Sequence, residues 1–262
     1  MKLFKILKKI SPNIYRLLFN LRVIAYGVDT PIRLAAQFVY AEAIDGDYLE
    51  FGVFKGASFI EAINELESAR IRWDKNNLLN NRAAYDEASA READEDFKTL
   101  KFKEEIRFFA FDSFSGLPQL DAADEGHSRF REGRYNYAES KFVANVLSNS
   151  MQIASNRLIT IPGFYSESLK EDLKETYNLK AASIVMIDCD LYSSTVSVLE
   201  FITDLVQDGT ILIFDDWYAY KGSPNCGERL ATQEWINKNP QFSLSPFAAK
   251  GPFQRAFVLN II

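Results

Sequence analysis

From residue 47 onward the chain alternates short, nearly continuous apolar runs with longer stretches in which apolar residues recur every three or four positions. Residues 48–53, 106–111, 157–161, 182–187 and 210–214 read as five strands. Helical spacing over residues 57–70 and 194–206 predicts helices after the first and fourth of them. A strand apolar at nearly every position is covered on both faces, and strand–helix alternation makes neighbouring strands parallel. Two late runs, 242–244 and 256–261, suit an antiparallel hairpin at the sheet edge. The predicted class is α/β: an open, doubly wound, mostly parallel sheet with an antiparallel C-terminal edge hairpin and a helical N-terminal arm.

Three segments break the alternation. Residues 1–28 carry Lys2, Lys5, Lys8, Lys9, Arg16 and Arg22, with no acid before Asp29. Leu3, Ile6, Leu7 and Ile10, then Ile14, Leu17, Leu18 and Leu21, recur at helical spacing, and Ser11-Pro12 supplies an N-cap followed by proline at the first helical position. This basic amphipathic arm has three readings: a helix packed on the body or on a second subunit, giving a homodimer; a helix lying on a membrane surface; or a loose arm. The lysines interrupting its apolar stretches argue against a secretory signal. Residues 73–103 are polar and rich in Ala, Glu, Asn and Asp, as in a solvated helical insertion within the domain spanning 29–262. Residues 119–137 are charged, glycine-rich and aperiodic. They follow the second strand and so reach the sheet edge where α/β proteins bind ligands, which suits a lid.

Composition narrows the function. A chain of 262 residues with 47% hydrophobic and 25% charged side chains forms a sizeable core and is not disordered. Net charge of -6 leaves no basic field for nucleic acid. Cys189 and Cys226 are the only cysteines, which offers no disulfide framework, no CxxC metal pattern, and suits the cytoplasm. His127 is the only histidine, so a Ser-His-Asp arrangement would depend on it alone.

The chemistry gathers where the strands end. Glu50 and Gly52 close the first strand, Asp112 the second and Gly163 the third; Asp188 and Asp190 follow the fourth, and Asp215 and Asp216 the fifth. By itself Asp215-Asp216 reads equally well as an ordinary turn or helix cap and as a functional pair. Six carboxylates converging on one crevice repel one another unless a cation sits among them, and carboxylate oxygens are the ligands Mg²⁺ takes. Asp188, Asp215 and Asp216 form the natural triplet, at the ends of two adjacent strands. The turn Glu50-Phe-Gly-Val-Phe-Lys-Gly-Ala-Ser58 has glycines where backbone approaches a ligand, although its G-x-x-x-G is not the dinucleotide fingerprint. Asp112 suits either a ribose or an N-cap to the turn at Ser113.

Five segments, in order, carry a resemblance: Asp47-Tyr-Leu-Glu-Phe-Gly-Val-Phe-Lys-Gly56, Phe111-Asp-Ser-Phe-Ser-Gly-Leu-Pro118, Pro162-Gly-Phe-Tyr-Ser-Glu-Ser-Leu169, Ile187-Asp-Cys-Asp-Leu-Tyr-Ser-Ser-Thr195 and Asp208-Gly-Thr-Ile-Leu-Ile-Phe-Asp-Asp216. Over roughly residues 30–262 the chain resembles the macrocin O-methyltransferase family, sugar O-methyltransferases that use S-adenosylmethionine and Mg²⁺ on a class I, Rossmann-like methyltransferase fold. The resemblance implies that Glu50, Gly52 and Gly56 line the methionine end of the cofactor, with Ser58 nearby. It likewise implies that Asp112 and Ser113 hold the ribose and that Gly163 and Phe164 border the adenine. Asp188, Asp215 and Asp216 become metal ligands, and Asp190 matches the family's general base. Cys189 departs from the family's usual small residue, and neither the arm nor the 73–103 insertion has a counterpart in it.

These parts suit methyl transfer to a weakly acidic sugar hydroxyl, with a metal binding the acceptor oxygen, Asp190 taking its proton and the lid covering both. His127, in the lid, is the rival base. Tyr135, Tyr137, Tyr192, Trp217 and Tyr218 are placed either to stack on a sugar or to pack. Other readings are a catechol-like acceptor, a non-catalytic binding or scaffold protein, and a nicotinamide-dependent oxidoreductase, which has no use for the acidic triplet.

Overall fold

Both faces of the central strands are covered because successive side chains feed two separate cores. In β1 (Asp47–Phe51), every residue is buried. Tyr48 packs with Phe59 and Phe108 in one core, while Leu49 and Phe51 join Phe109 and Phe111 in the other. The Phe51 and Phe111 rings stack at 4.4 Å between centroids, a pairing that contributes about 1 kcal/mol beyond burial. Asp47, a buried acid opening the strand, is held by Arg107 at 2.6 Å.

The computed structural model describes residues 29–83 and 105–262, without the side chains of 73–83. The N-terminal arm and the part of the insertion beyond residue 83 lie outside the described residues. Pro31–Ile262 forms one compact unit. Its strands are β1, β2 (Phe108–Asp112), β3 (Leu158–Pro162), β4 (Ala182–Ile187), β5 (Ile211–Phe214), β6 (Phe242–Lys250) and β7 (Gln254–Ile261). The helices are α1 (Pro31–Ala41), α2 (Ala57–Ala83), α3 (Glu139–Asn149), α4 (Tyr165–Ser168), α5 (Glu171–Thr176), α6 (Tyr192–Ile202) and α7 (Gly227–Lys238). One seven-stranded sheet runs β3-β2-β1-β4-β5-β7-β6, with β1 to β5 parallel and β7 antiparallel to both neighbours. The open, doubly wound sheet with an antiparallel edge hairpin is therefore as expected.

Details differ. The edge hairpin is longer than its apolar runs because much of β6 is only partly covered and carries serine, proline and alanine. Helix α2 continues past residue 70 into the polar segment. Helix α7 escapes sequence periodicity because its apolar stripe is thin: beyond its first turn it buries Ala231, Thr232 and Trp235. No helix of the described residues is long and apolar enough to cross a membrane. Strand order reverses between β1 and β4, which opens a crevice at their carboxyl ends.

Candidate active site

A cavity of about 750 Å³ occupies that crevice. Its floor is made by Gly52, Asp112, Gly163, Asp188, Asp190, Asp215 and Asp216, all from strand ends. Arg129 and Tyr135 of the lid, Ser193, Ser194 and Ser197 of α6, and the β6–β7 turn from Lys250 to Gln254 complete the wall. The volume falls in the range of small-molecule and cofactor sites.

The acidic corner is set by sheet register. Ile187 pairs with Phe214 across β4 and β5, and the Asp215 amide donates to the Ile187 carbonyl at 3.0 Å, so Asp188 and Asp215 end their strands side by side. One carboxylate oxygen from each of Asp188, Asp215 and Asp216 lies within 4.8 Å of the others. Burial, then repulsion from Asp215, Asp190, Asp216 and Glu50, pushes Asp188 well above the carboxylate range. Asp190 is pushed up to about 9 by burial and by its hydrogen bond to Asp216, and it sits at φ 62°, a left-handed backbone that a non-glycine adopts at a cost of order 1–3 kcal/mol. Three hard oxygen donors so crowded, with Arg129 reaching Asp216 by a single long bond, fit a divalent cation.

The opposite wall is different. Asp112 accepts the amides of Val53 and Phe54 through Oδ2 (2.9 and 3.0 Å) and that of Phe114 through Oδ1 (2.7 Å). Ser113 caps the turn to Gly116 at 2.7 Å, and Gly163 and Phe164 border the same side. Of the residues expected to touch the cofactor's methionine end, Gly52 alone lines the cavity. Glu50 is fully buried on the Tyr48 face of β1, taking Tyr48 Oη at 2.5 Å and Ser58 Oγ at 2.6 Å, so Glu50 and Ser58 brace the floor from beneath. The glycines serve protein packing: a Cβ on Gly52 would lie 1.9 Å from the Asp188 carbonyl oxygen, and one on Gly56 would meet the Phe142 ring at 2.8 Å.

The segment 119–137 is tied down in several places. Phe130 is buried with Leu191 and Ala219, and the Leu117 amide pairs with the Arg134 carbonyl. Asp124, fully buried, accepts the Tyr192 amide (2.5 Å), the Ser193 amide (3.3 Å) and Ser193 Oγ (2.6 Å), and so caps α6 from outside it. His127 is not brought to the cavity. Its ring stacks on Phe130 at 4.2 Å and lies 5.0 Å from Tyr220, and burial followed by Arg129 lowers its pKa. Among the five aromatics, Tyr135 lines the cavity. Trp217 packs on Phe257, Tyr192 bonds Glu234, Tyr218 lies beneath Arg255, and Tyr137 sits edge-on to Phe54.

The macrocin O-methyltransferase (TylF) family model matches residues 97–240, more than half of the 262-residue chain. The chain belongs to the macrocin O-methyltransferase family. Two solved structures share its fold. The O-methyltransferase NovP is 19% identical over 87% of this chain and 77% of its own, with a TM-score of 0.57. The calicheamicin methyltransferase CalS11 is 18% identical over 98% and 90%, with a TM-score of 0.56. Comparison with curated proteins gives no match.

Several side chains at the centre of this O-methyltransferase carry no signal in sequence. Gln254 Nε2 donates to Asp215 at 2.6 Å from the first residue of β7, and buried Glu228 accepts the Asp216 amide at 3.1 Å. Arg129 reaches Asp216 at 3.3 Å. Each comes from an element whose register or loop path is set by tertiary packing, so only the acidity of Glu228 or the charge of Arg129 could have flagged them.

Proposed function

We propose that this O-methyltransferase moves the methyl group of S-adenosylmethionine to a sugar hydroxyl, with Mg²⁺ held by Asp188, Asp215 and Asp216. The observation that carries this reading is the approach of three carboxylate oxygens to within 4.8 Å on the floor of a cavity with room for a nucleoside cofactor and a sugar ring. A calicheamicin methyltransferase among the proteins of like fold supports a natural-product acceptor. When bound, the cation supplies Lewis acidity that draws in the acceptor oxygen and lowers its pKa.

The chain's own residues do the rest. Asp190 lines the cavity beside the triplet, and its carboxylate is the group there to take the hydroxyl proton. Ser113, Gly163 and Phe164 lie along the Asp112 wall and form the nucleoside side. Three amides fill most of the roughly four lone-pair sites of the Asp112 carboxylate, so it accepts one ribose hydroxyl rather than two. Tyr135 and the lid close over the acceptor and exclude water.

The test is transfer from labelled S-adenosylmethionine to a panel of nucleotide sugars, glycosides and catechols, with and without chelator. Methylated sugar is expected, abolished by chelator and restored by Mg²⁺, and Asp215→Asn should lower kcat/KM by about 10³-fold or more. Undiminished turnover in chelator would remove the metal from the reaction, and methylation of catechols alone would replace the sugar.

A further inference from the structure

Arg129 stands where a cation would be expected to exclude another. Its Nη2 lies 3.3 Å from Asp216 Oδ1, the carboxylate that also belongs to the triplet. The guanidinium stacks 4.9 Å from the Phe253 ring and 5.8 Å from Phe130. Its backbone is held separately, because Arg134 Nη1 donates to the Arg129 carbonyl at 2.7 Å. The contact with Asp216 is a single long bond rather than a two-pronged one, and 42% of the side chain is open to solvent. A guanidinium so placed relieves repulsion among the acids yet loses little on returning to water.

We propose that Arg129 is the displaceable counter-cation of the acidic centre: it neutralises Asp216 until a divalent ion enters, and is then driven off. This rests on the metal reading above. The reason is electrostatic. Two cations that share Asp216 repel across a few ångströms of partly dry protein, so neither keeps its full hold when both are present. The linkage is reciprocal: the ion pair weakens metal binding, and metal binding loosens the lid at residue 129 by the same factor. The lid and the metal site thus communicate through one carboxylate, while Phe130 and Asp124 keep the remainder of the lid docked.

Mn²⁺ titration of the full chain, followed by the loss of free-ion electron spin resonance signal, measures the linkage without turnover. Arg129→Met keeps the stem and removes the charge, and it should bind Mn²⁺ about tenfold more tightly at low ionic strength. Arg129→Lys should stay near the wild-type value. In parallel, Mn²⁺ should speed protease nicking within residues 119–137 of the wild type and leave the nicking rate of Arg129→Met unchanged. If Mn²⁺ binds the wild type, fails to bind Asp215→Asn, and binds Arg129→Met no more tightly than the wild type, the exchange is overturned and the metal site stands. If Mn²⁺ binds none of these proteins, both fall together.

Discussion

Asp112 and Asp188 end the two strands that flank β1, and both face the same cavity. Three backbone amides converge on Asp112, so the turn after β1 and the turn after β2 are fastened to each other through one carboxylate. Asp188 has the reverse situation: burial and four neighbouring acids all oppose its ionisation. One acid is held by the amides of the chain around it, and the other is crowded by its neighbours, which is what supports the metal site proposed above. The two halves of the sheet differ accordingly. The β1–β2–β3 side satisfies its carboxylate with backbone amides, whereas the β4–β5 side is the one proposed to take a cation.

The sharpest break in that comparison lies in catalysis. Asp190→Asn should lower kcat by about 10²–10⁴-fold while Mn²⁺ still binds, because it removes the proton acceptor and spares the triplet. His127→Ala should stay within about tenfold of wild type in the same assay, since its ring packs on Phe130 away from the cavity wall. If His127→Ala were the more damaging of the two, the base would belong to the lid.

Stability provides the next contrast, with opposite signs. Asp112→Ala strands three amides and should destabilise the fold by about 2–4 kcal/mol in urea denaturation. Asp188→Asn relieves repulsion and should raise the melting temperature of the metal-free protein by a few degrees, although it abolishes metal binding. Loss of stability in both would mean that Asp188, too, is satisfied by the chain.

The smallest effect concerns Glu50, raised by burial from 4.5 to about 8. Because the folded value lies above the unfolded one, its contribution to stability is complete below about pH 4.5 and is lost as pH rises through about 8. The unfolding free energy should fall across that window. Glu50→Gln should remove part of the slope, and an unchanged slope would assign it to Asp188, Asp190 and Glu228, which are shifted in the same direction.

The acidic triplet was legible because the rule that strands of an open α/β sheet end at one crevice needs only the strand ends, and the fourth and fifth apolar runs stop abruptly at an aspartate. The contacts that Glu50, Gly56 and Ser58 make within the chain were not legible, because they depend on which face of β1 each element packs against. An apolar strand buried on both sides carries no mark of that face. Phe253 and Gln254 were invisible for a related reason: the hairpin register that brings Phe253 to the cavity and Gln254 to Asp215 is written in a partly covered edge strand of weak patterning. The 119–137 segment does border the cavity, but its buried anchor Asp124 looked like one more surface acid.

That anchor ties the 119–137 segment to the backbone beneath it. The amides of Tyr192 and Ser193 begin the helix two residues after Asp190, and the acid that accepts them lies in that segment. Losing the contact would untie a helix cap, at about 1 kcal/mol, beside the left-handed peptide at Asp190. A change in the 119–137 segment would therefore be felt at the acidic corner through a single carboxylate.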